Sequence, residues 1–412
     1  MITNTGDTEN ISPNPLPVCI HNEFCGGCMH QLMPYEKQVM MKGKEVLSLM
    51  EKKGADLSGL REPFEAEQLK PAPQLYHYRN KMEYTFGDMV KDGPMTLGMH
   101  KKGHFMSIVT VDNCQLVPQD FNILLRLTLD FCTEKGYRFY HKKSHEGLMR
   151  NLVLRRGERT DELLINIVTS SQGEFDETGY IAAIESVKER LDGNVVGIIH
   201  TFCDSIADAV IPESFKVIQG RDYYMEEIMG LKFKVSAFSF FQTNIAAVER
   251  LYTEAVSLID DFEGKTVFDL FCGTGTISQV LAQKAKKVVG IELVEDAVES
   301  AKANAKLNGI ENCEFIAGDV FKVIDEVTEK PDVIVVDPPR MGILPKTLDK
   351  IAAYGTEQIL YISCNPKTLA ENIVYLKEYY GYQPVILKAY DNFPMTKHTE
   401  AVTLLVRQKP EI

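Results

Sequence analysis

The spacing of apolar and polar residues divides the chain into two parts with different patterns. In the first part, the stretch from Tyr35 to Lys53 repeats apolar residues at helical spacing. Residues 72–117 instead alternate apolar and polar positions between glycines, which predicts antiparallel strands. Further strands are predicted at 151–157, 162–170 and 194–202, and further helices at 119–135 and 180–190. We therefore expect an α+β domain with an antiparallel sheet.

The pattern changes after about Lys234, where short apolar runs alternate with helical stretches. Because nearly continuous apolar strands separated by helices are typical of parallel sheets, this pattern predicts a doubly wound, Rossmann-like α/β fold. The last two apolar runs, QPVILKAY and EAVTLLVRQ, predict a closing β-hairpin. The resulting prediction is a disordered tail over 1–18, the α+β domain over 19–230 and the α/β domain over 231–412.

Composition narrows the class of protein. Of the 412 residues, 44% are hydrophobic and 25% are charged, as in ordinary soluble domains. No run of 18 or more apolar residues occurs, so we expect no membrane partner. The first 18 residues have neither a basic nor an apolar segment, so we expect no signal peptide and a cytoplasmic location. In that compartment, nine cysteines, an odd number, argue against a disulfide framework.

The charge distribution is uneven. The formal net charge is −13, which for the whole chain argues against a nucleic-acid partner. Residues 71–160, however, carry 14 Lys and Arg against 9 Asp and Glu, whereas the remainder carries 31 against 49. A basic segment in an acidic protein favours one localised site for a polyanion such as RNA, and a solvated charged surface is the alternative.

A glycine loop follows the first apolar run of the back half. In FDLFCGTGTIS, Gly273 and Gly275 allow a tight turn and let a ligand approach the backbone at a helix N-terminus. Ser278 stands where a dinucleotide-binding fingerprint has its third glycine, which argues against a nicotinamide cofactor. A tight turn with no ligand is the alternative.

Carboxylates end the predicted strands that follow. Glu292 stands 17 residues after Gly275, where a carboxylate can accept hydrogen bonds from both hydroxyls of a ribose. Asp319 and Asp337 end the next two strands, so the three acids would line one crevice, unless each caps a helix. The Asp-Pro-Pro-Arg turn ending at Arg340 would add a rigid wall suited to a planar group.

The next apolar run, QILYIS, ends on Cys364. A core cysteine that packs as a small hydrophobe is the plain alternative, but the carboxyl end of a strand in such a sheet is where reactive groups lie. A helix beginning at Pro366 would favour the nucleophilic thiolate. Glu400, at the start of the final strand, is a carboxylate that could serve as base within hydrogen-bond reach.

Cys19, Cys25, Cys28 and Cys114 form a three-plus-one set. Thiolate ligands select zinc or iron–sulfur clusters, and only one CxxC pair is present, whereas zinc ribbons usually have two. From the residues alone, an iron–sulfur cluster, a zinc ion, a redox dithiol and no metal all remain open. The other front- and back-half cysteines expected in the core are Cys132, Cys203, Cys272 and Cys313.

Five motifs occur together in one order: FSFFQTN, DLFCGTG, VDPPR, ISCNP and HTEAVTLL. In this order and spacing they resemble the RNA uracil-C5 methyltransferases, and the chain from Cys19 onward is similar to the branch that acts on bacterial 23S ribosomal RNA. The resemblance implies a class I S-adenosylmethionine-dependent methyltransferase fold for the back half. It also implies methylation of carbon 5 of a specific uridine, through a covalent bond between a cysteine and carbon 6 followed by base-assisted elimination.

The resemblance also implies roles for individual residues. Cys364 matches the nucleophile and Glu400 the base. The positions that match cofactor-binding residues are Gln242, Phe271, Gly273, Thr276, Glu292, Asp319 and Asp337, although Thr276 replaces an asparagine found in some members. The four-cysteine spacing is similar to the [4Fe–4S] site of the ribosomal RNA branch, which implies the ligands Cys19, Cys25, Cys28 and Cys114.

Other functions remain to be compared. The same reaction on tRNA is one, although the tRNA branch generally lacks the cysteine set. A catalytically silent RNA-binding ribosome assembly factor would tolerate loss of Cys364 or Glu400, and both are present. A nicotinamide oxidoreductase with an iron–sulfur centre is disfavoured by Ser278.

Many relatives carry an N-terminal RNA-binding barrel before the first cluster cysteine. Only 18 residues precede Cys19, so we expect that barrel to be absent and the front domain to bind the RNA. The sequence does not determine the oligomeric state, and a monomer is our default expectation. The basic candidates for RNA contact are Arg79, Lys81, Lys101, Lys102, Arg138, Lys142, Lys143, Arg150, Arg155 and Arg156. The candidates for base stacking are Tyr76, Tyr78, Phe105 and Tyr140.

Overall fold

A computed structural model describes residues 16–207 and 210–408 of the chain. The predicted disordered tail over 1–18 falls almost entirely outside the described residues. Within them, the chain forms two seven-stranded sheets and one separate two-stranded hairpin. No helix among these residues is long and apolar enough to cross a membrane.

The first sheet follows the alternating pattern of the front half. Its strands lie in the order β3-β2-β1-β4-β5-β6-β7. The elements of this part are α1 (Tyr35–Lys53), β1 (Lys81–Asp88), β2 (Met95–Lys101), β3 (His104–Thr110), α2 (Gln119–Glu134), β4 (Met149–Arg156), β5 (Glu162–Thr169), α3 (Glu177–Ser186), β6 (Asn194–Phe202) and β7 (Ser214–Gly220). Every second residue of β1, namely Met82, Tyr84 and Phe86, is buried in one core with α2.

The prediction of a purely antiparallel front sheet is wrong at one pair of strands. β5 and β6 pair in parallel, with Ile165 opposite Ile198. Helix α3 makes the crossover between them, because parallel neighbours cannot be joined by a tight turn. The other five pairs of the sheet are antiparallel, as predicted.

A short hairpin joins the two parts of the chain. It consists of β8 (Tyr223–Ile228) and β9 (Leu231–Ser236), which pair antiparallel. Tyr224, Phe233 and Val235 of this hairpin are buried in the core of the back part. The predicted domain boundary between residues 230 and 231 therefore lies at the turn of a hairpin that packs on the second sheet.

The back part forms the predicted doubly wound sheet with a closing hairpin. The strand order is β12-β11-β10-β13-β14-β16-β15, with the first five strands parallel and β16 antiparallel to both its neighbours. The elements are α4 (Ile245–Ser257), β10 (Thr266–Leu270), α5 (Thr276–Ala282), β11 (Lys287–Glu292), α6 (Glu295–Leu307), β12 (Cys313–Ala317), α7 (Val320–Val323), β13 (Val333–Val336), α8 (Pro345–Ala353), β14 (Gln358–Ser363), α9 (Pro366–Tyr380), β15 (Tyr382–Tyr390) and β16 (Glu400–Arg407). Short 3₁₀ helices lie at Ala66–Gln68, Lys188–Arg190 and Ile324–Glu326.

Helix α1 packs on the back part although it precedes the front sheet in the chain. Its Val46 and Met50 are buried in the same core as Ile373 and Leu376 of α9. Burial of apolar side chains such as these is the main stabilising term in packing two helices together. The N-terminal helix is therefore a structural component of the doubly wound part.

Candidate active site

The predicted site residues meet where the strand order of the back sheet reverses. β10 lies between β11 and β13, and ligands of doubly wound sheets bind in the crevice at such a reversal, beyond the carboxyl ends of the strands. Leu270, at the end of β10, pairs with both Ile291 and Val336. The residues one step further along, including Glu292 and Asp337, therefore lie side by side at one edge.

Cys364 and Glu400 come from adjacent antiparallel strands at this edge. Ser363 of β14 pairs with Ala401 of β16, so the next step along the ladder places Cys364 opposite Glu400. Opposite residues of an antiparallel pair present their side chains on the same face. Both side chains are partly buried. They are close enough that the charge of Glu400 raises the pKa of Cys364.

The crevice raises the pKa values of its acidic groups. Burial, followed by the charges of Glu400 and Asp337, raises the pKa of Cys364 to about 11. Burial and the charge of Asp337 raise the pKa of Glu400 to about 8, and burial raises the pKa of Asp337 to about 7. Arg340 opposes these effects at both Cys364 and Glu400. A buried group of carboxylates of this kind favours a cationic ligand.

The glycine loop after β10 brings backbone donors to Glu292. Gly273 and Gly275 both have left-handed backbones, with φ of 54° and 75°. A Cβ at Gly275 would lie 2.9 Å from the Ala301 side chain, so a side chain does not fit there. The Gly273 N–H donates to Glu292 over 3.1 Å, and the Val294 N–H donates to its other oxygen over 3.0 Å. Each carboxylate oxygen keeps a lone pair for a further donor.

Phe271 and Gln242 lie beside this loop. Phe271 has a left-handed backbone, with φ of 69°, which is uncommon outside glycine and tends to occur at functional sites. The Gln242 side-chain amide donates to the hydroxyl of Tyr252 over 3.3 Å. The backbone carbonyl of Gln242 accepts from the Asn80 side-chain amide over 3.3 Å. The FSFFQTN motif thereby connects the crevice to the start of β1.

Asp269 and Tyr252 are site residues that the sequence reasoning missed. Asp269 is fully buried in β10, and the Ser278 hydroxyl donates to its Oδ2 over 2.5 Å. Its Oδ1 has no hydrogen-bond partner among the described residues. Burial raises the pKa of Asp269 to about 7 and, with the charge of Asp337, raises that of the Tyr252 hydroxyl. The available signal was a single acid inside the apolar run TVFDLF.

Of the two remaining predicted cofactor-binding residues, Asp319 is exposed and Thr276 is buried. Asp319 is exposed, and its side chain accepts from the Phe321 N–H over 3.0 Å as the N-cap of α7. The helix-cap alternative therefore accounts for the contact that Asp319 makes. Thr276 is buried at the first position of α5, directly after the glycine loop.

The loop before Glu400, residues 391–399, is fixed by α1. Lys42 Nζ lies 2.7 Å from Asp391, and both side chains are completely buried. The hydroxyl of Tyr35 donates to the other oxygen of Asp391 over 3.0 Å. Removing one partner of such a buried pair leaves an uncompensated charge, so the pair strongly favours this one arrangement of the loop.

The four cysteines of the front half lie together. Burial raises the pKa of Cys28 to about 12, with further contributions from Cys114, Cys25 and Cys19, in that order. Across residues 16–207 and 210–408, no group of three or more Cys, His, Asp or Glu side chains is arranged to hold a metal ion.

The remaining cysteines and the candidate RNA-binding residues differ in exposure. Cys132, Cys203 and Cys272 are buried, as expected, and Cys313 is partly exposed. Arg156 forms ion pairs with Asp120 and Asp161. Phe105 is 63% exposed. The candidates that are buried are Tyr76, Tyr78, Tyr140, Arg150 and Arg155.

Known proteins resemble this chain in sequence and in structure. The family described as tRNA (Uracil-5-)-methyltransferase matches residues 212–408. An uncharacterized RNA methyltransferase of Clostridium tetani is 48% identical over 384 residues, which are 93% of this chain and 82% of the relative. An uncharacterized RNA methyltransferase of Clostridium acetobutylicum is 47% identical over 399 residues, which are 97% of this chain and 86% of the relative.

A solved structure resembles both parts of the fold. The crystal structure of Pyrococcus abyssi tRNA (uracil-54, C5)-methyltransferase in complex with S-adenosyl-L-homocysteine has a TM-score of 0.74 and 26% sequence identity. The match covers 95% of this chain and 86% of that chain. The back part thus has the fold of an S-adenosylmethionine-dependent methyltransferase, and this chain is an enzyme that belongs to the RNA uracil-5-methyltransferase family.

Proposed function

We propose that this protein acts in the cytoplasm and transfers a methyl group from S-adenosylmethionine to carbon 5 of a specific uridine in 23S ribosomal RNA. The observation that carries the proposal is the pairing of Ser363 with Ala401, because it brings the next residues, Cys364 and Glu400, close enough for the charge of Glu400 to raise the pKa of Cys364. A thiol and a carboxylate on one face are the nucleophile and the base that this reaction requires.

The residues of the crevice fit S-adenosylmethionine. Glu292 has acceptor capacity for ribose hydroxyls, and Asp269 Oδ1 is a buried acceptor without a partner among the described residues. When bound, the cofactor supplies an electrophilic methyl group on a positively charged sulfur, which the acidic crevice favours. The proposed binding residues are Gln242, Phe271, Gly273, Thr276, Glu292 and Asp337, with Asp319 at the rim.

Cys364 activates the target base. Carbon 5 of uracil is a weak nucleophile, so the Cys364 thiol first gives up its proton to solvent water, and the charge of Arg340 favours the thiolate that forms. The thiolate then adds to carbon 6. The electron pair of the carbon 5–carbon 6 double bond shifts to form a carbon 4–carbon 5 double bond, and the carbonyl pair at carbon 4 moves onto its oxygen, which gives an enolate. This makes carbon 5 nucleophilic towards the methyl group. The base must leave its stack to reach the thiol.

Glu400 completes the reaction. After methylation, carbon 5 carries both the new methyl group and its original proton. Glu400 takes that proton, the electron pair restores the carbon 5–carbon 6 double bond, and the bond from carbon 6 to the Cys364 sulfur breaks. A carboxylate whose pKa is raised to about 8 is a stronger base than an ordinary glutamate.

A [4Fe–4S] cluster held by the four front-half cysteines is part of the proposal. Burial raises the pKa values of Cys25, Cys28 and Cys114, and thiolates at such positions need a cationic group to stabilise them. Met29, which directly follows Cys28, donates its backbone N–H to the carbonyl of Met395 over 3.0 Å. The cluster would therefore organise the front half and support the loop before Glu400.

Transfer RNA is the second candidate substrate. The solved structure that matches 95% of this chain is named as a tRNA (uracil-54, C5)-methyltransferase, and the family that matches residues 212–408 is described by tRNA as well. The four-cysteine set supports ribosomal RNA instead, because it resembles the cluster site of that branch.

The experiment is methyl transfer from labelled S-adenosylmethionine to unmodified 23S ribosomal RNA and, in parallel, to unmodified tRNA. The proposal expects 5-methyluridine in 23S ribosomal RNA, at a single site located by primer extension or mass spectrometry. Label found in tRNA alone would replace ribosomal RNA by the second candidate. Label in neither RNA would contradict both.

A further inference from the structure

The face of the front sheet that is turned away from α2 carries a basic pocket outside the active site. The pocket is a shallow, solvent-open depression of about 30 Å³ at the far end of β1 and the start of β4. Its polar and charged lining residues are Thr85, Tyr140, Lys142, Arg150 and Asn151. The stretch 138–150 around it holds four Arg and Lys against one carboxylate, in a chain whose net charge is −13.

Arg150 is built into this pocket. The side chain is 7% exposed, and its guanidinium carbon lies 4.2 Å from the centre of the Tyr140 ring. One nitrogen, Nη2, donates to the carbonyls of Ser205 and Ala207 over 2.7 and 3.3 Å. The other, Nη1, is buried with no hydrogen-bond partner among the described residues. A buried unsatisfied donor is costly, and an acceptor that enters the pocket would relieve that cost.

An exposed aromatic ring stands next to the pocket. Phe105, near the tip of the β2–β3 hairpin, is 63% exposed. The ring stacks on His100 with centres 5.2 Å apart and planes 8° apart. Lys142 Nζ, which lines the pocket, is 4.5 Å from the centre of the same ring. A planar ligand stacked on Phe105 would thus have an anionic group attached to it within reach of Lys142 and Arg150.

A continuous strip of β1 connects this pocket to the active site. Asn80, just before β1, donates to the carbonyl of Gln242. Lys81, Glu83 and Thr85 alternate with the core residues of the strand, so they share the face turned away from α2. Five residues at ~3.4 Å each place Thr85 about 17 Å from Asn80. That is a span of a few nucleotides of extended RNA.

We propose that Phe105, Lys142 and Arg150 form a subsite for a nucleotide that flanks the target uridine in single-stranded RNA, with the base stacked on Phe105 and its phosphate bound by Arg150 and Lys142. Stacking on aromatic rings beside cationic side chains is the usual way in which single-stranded RNA is held without reading its sequence. The subsite rests on the proposed function, because it takes the single-stranded RNA around the target uridine as its ligand.

The test compares Phe105→Ala and Arg150→Gln with wild type in equilibrium binding to a fluorescently labelled, unmodified RNA stem–loop that contains the target uridine. Loss of one stacked base weakens binding roughly tenfold in Phe105→Ala. Loss of one phosphate contact in Arg150→Gln lowers the slope of log affinity against log salt by about one. Tyr379→Ala is the matched control, because Tyr379 is 62% exposed on α9 and lies outside the subsite.

RNAs shortened on the 5′ or the 3′ side of the target uridine locate the flanking nucleotide. One of these two shortened RNAs lacks the base that stacks on Phe105. Wild type and Phe105→Ala should bind that RNA with equal affinity. If both Phe105→Ala and Arg150→Gln bind the full stem–loop with wild-type affinity, the subsite is overturned. Because Phe105 is exposed, we expect Phe105→Ala to fold, so this variant tests the subsite even if Arg150→Gln does not fold. Unchanged RNA affinity of Phe105→Ala together with normal methyl transfer would overturn the subsite and leave the proposed function standing. Absence of methyl transfer by the wild-type protein would contradict the proposed function.

Discussion

Cys364 and Glu400 lie opposite one another at the ends of β14 and β16, 36 positions apart in the chain but adjacent in the sheet. The antiparallel insertion of β16 beside β14 creates this arrangement, since a parallel strand would bring its carboxyl end, not its first residue, to the same edge. The closing hairpin is therefore the element that delivers a carboxylate to the thiol.

Arg340 favours the thiolate form of Cys364. Its positive charge lowers the pKa of Cys364 against burial and two carboxylates. We expect Arg340→Gln to raise the pKa of Cys364 further, so that alkylation of this thiol by iodoacetamide moves to higher pH. Peptide mass spectrometry of the ligand-free protein over a pH series measures the shift. Lys397→Gln is the control, and an unchanged profile in Arg340→Gln would remove Arg340 from this role.

Glu400 makes stability depend on pH. Because its pKa is raised to about 8 in the fold, the folded state binds the proton more tightly than the unfolded chain does. Its stabilising contribution is complete below the usual carboxyl pKa and is lost as pH rises through about 8. We expect the Tm of the ligand-free protein to fall between pH 5 and 9, and less steeply in Glu400→Gln. The exposed Glu378→Gln should behave as wild type, and equal slopes in all three proteins would contradict this account.

The buried pair between Lys42 and Asp391 holds the loop before Glu400. We expect Lys42→Met to destabilise the protein by about 3–5 kcal/mol, because it leaves the Asp391 carboxylate buried without its cation. Denaturant unfolding measures the loss. The double variant with Asp391→Asn should be more stable than the single one, since no charge is then left unpaired. A single variant as stable as wild type would show that the pair does not secure the loop.

Iron and sulfide analysis tests whether Cys19, Cys25, Cys28 and Cys114 hold a cluster. We expect protein purified or reconstituted without oxygen to be brown and to contain iron and sulfide in equal amounts, and Cys28→Ser to lose both. Cys313→Ser, which changes a cysteine outside the set, should keep them. Colourless, iron-free protein after reconstitution would rule out the cluster.

Several parts of the fold could be predicted from the local sequence pattern, and other parts could not. The alternation of apolar runs predicted the doubly wound sheet and the closing hairpin because period and length are properties of each segment alone. The parallel pairing of β5 with β6 and the burial of Lys42 against Asp391, 349 positions away, depend on which distant segments meet. Asp319 was placed at a strand end correctly, but a strand-end acid and a helix cap have the same local sequence.

The most direct test of the central claim is denaturing gel electrophoresis of the protein after incubation with S-adenosylmethionine and its RNA substrate, with wild type, Glu400→Gln and Cys364→Ala side by side. The account predicts that Glu400→Gln accumulates a covalent protein–RNA adduct that carries the labelled methyl group, because the Cys364 bond forms but the proton at carbon 5 is not removed. Cys364→Ala should form neither adduct nor product. Full methyl transfer by Cys364→Ala would contradict the claim that this thiol is the nucleophile.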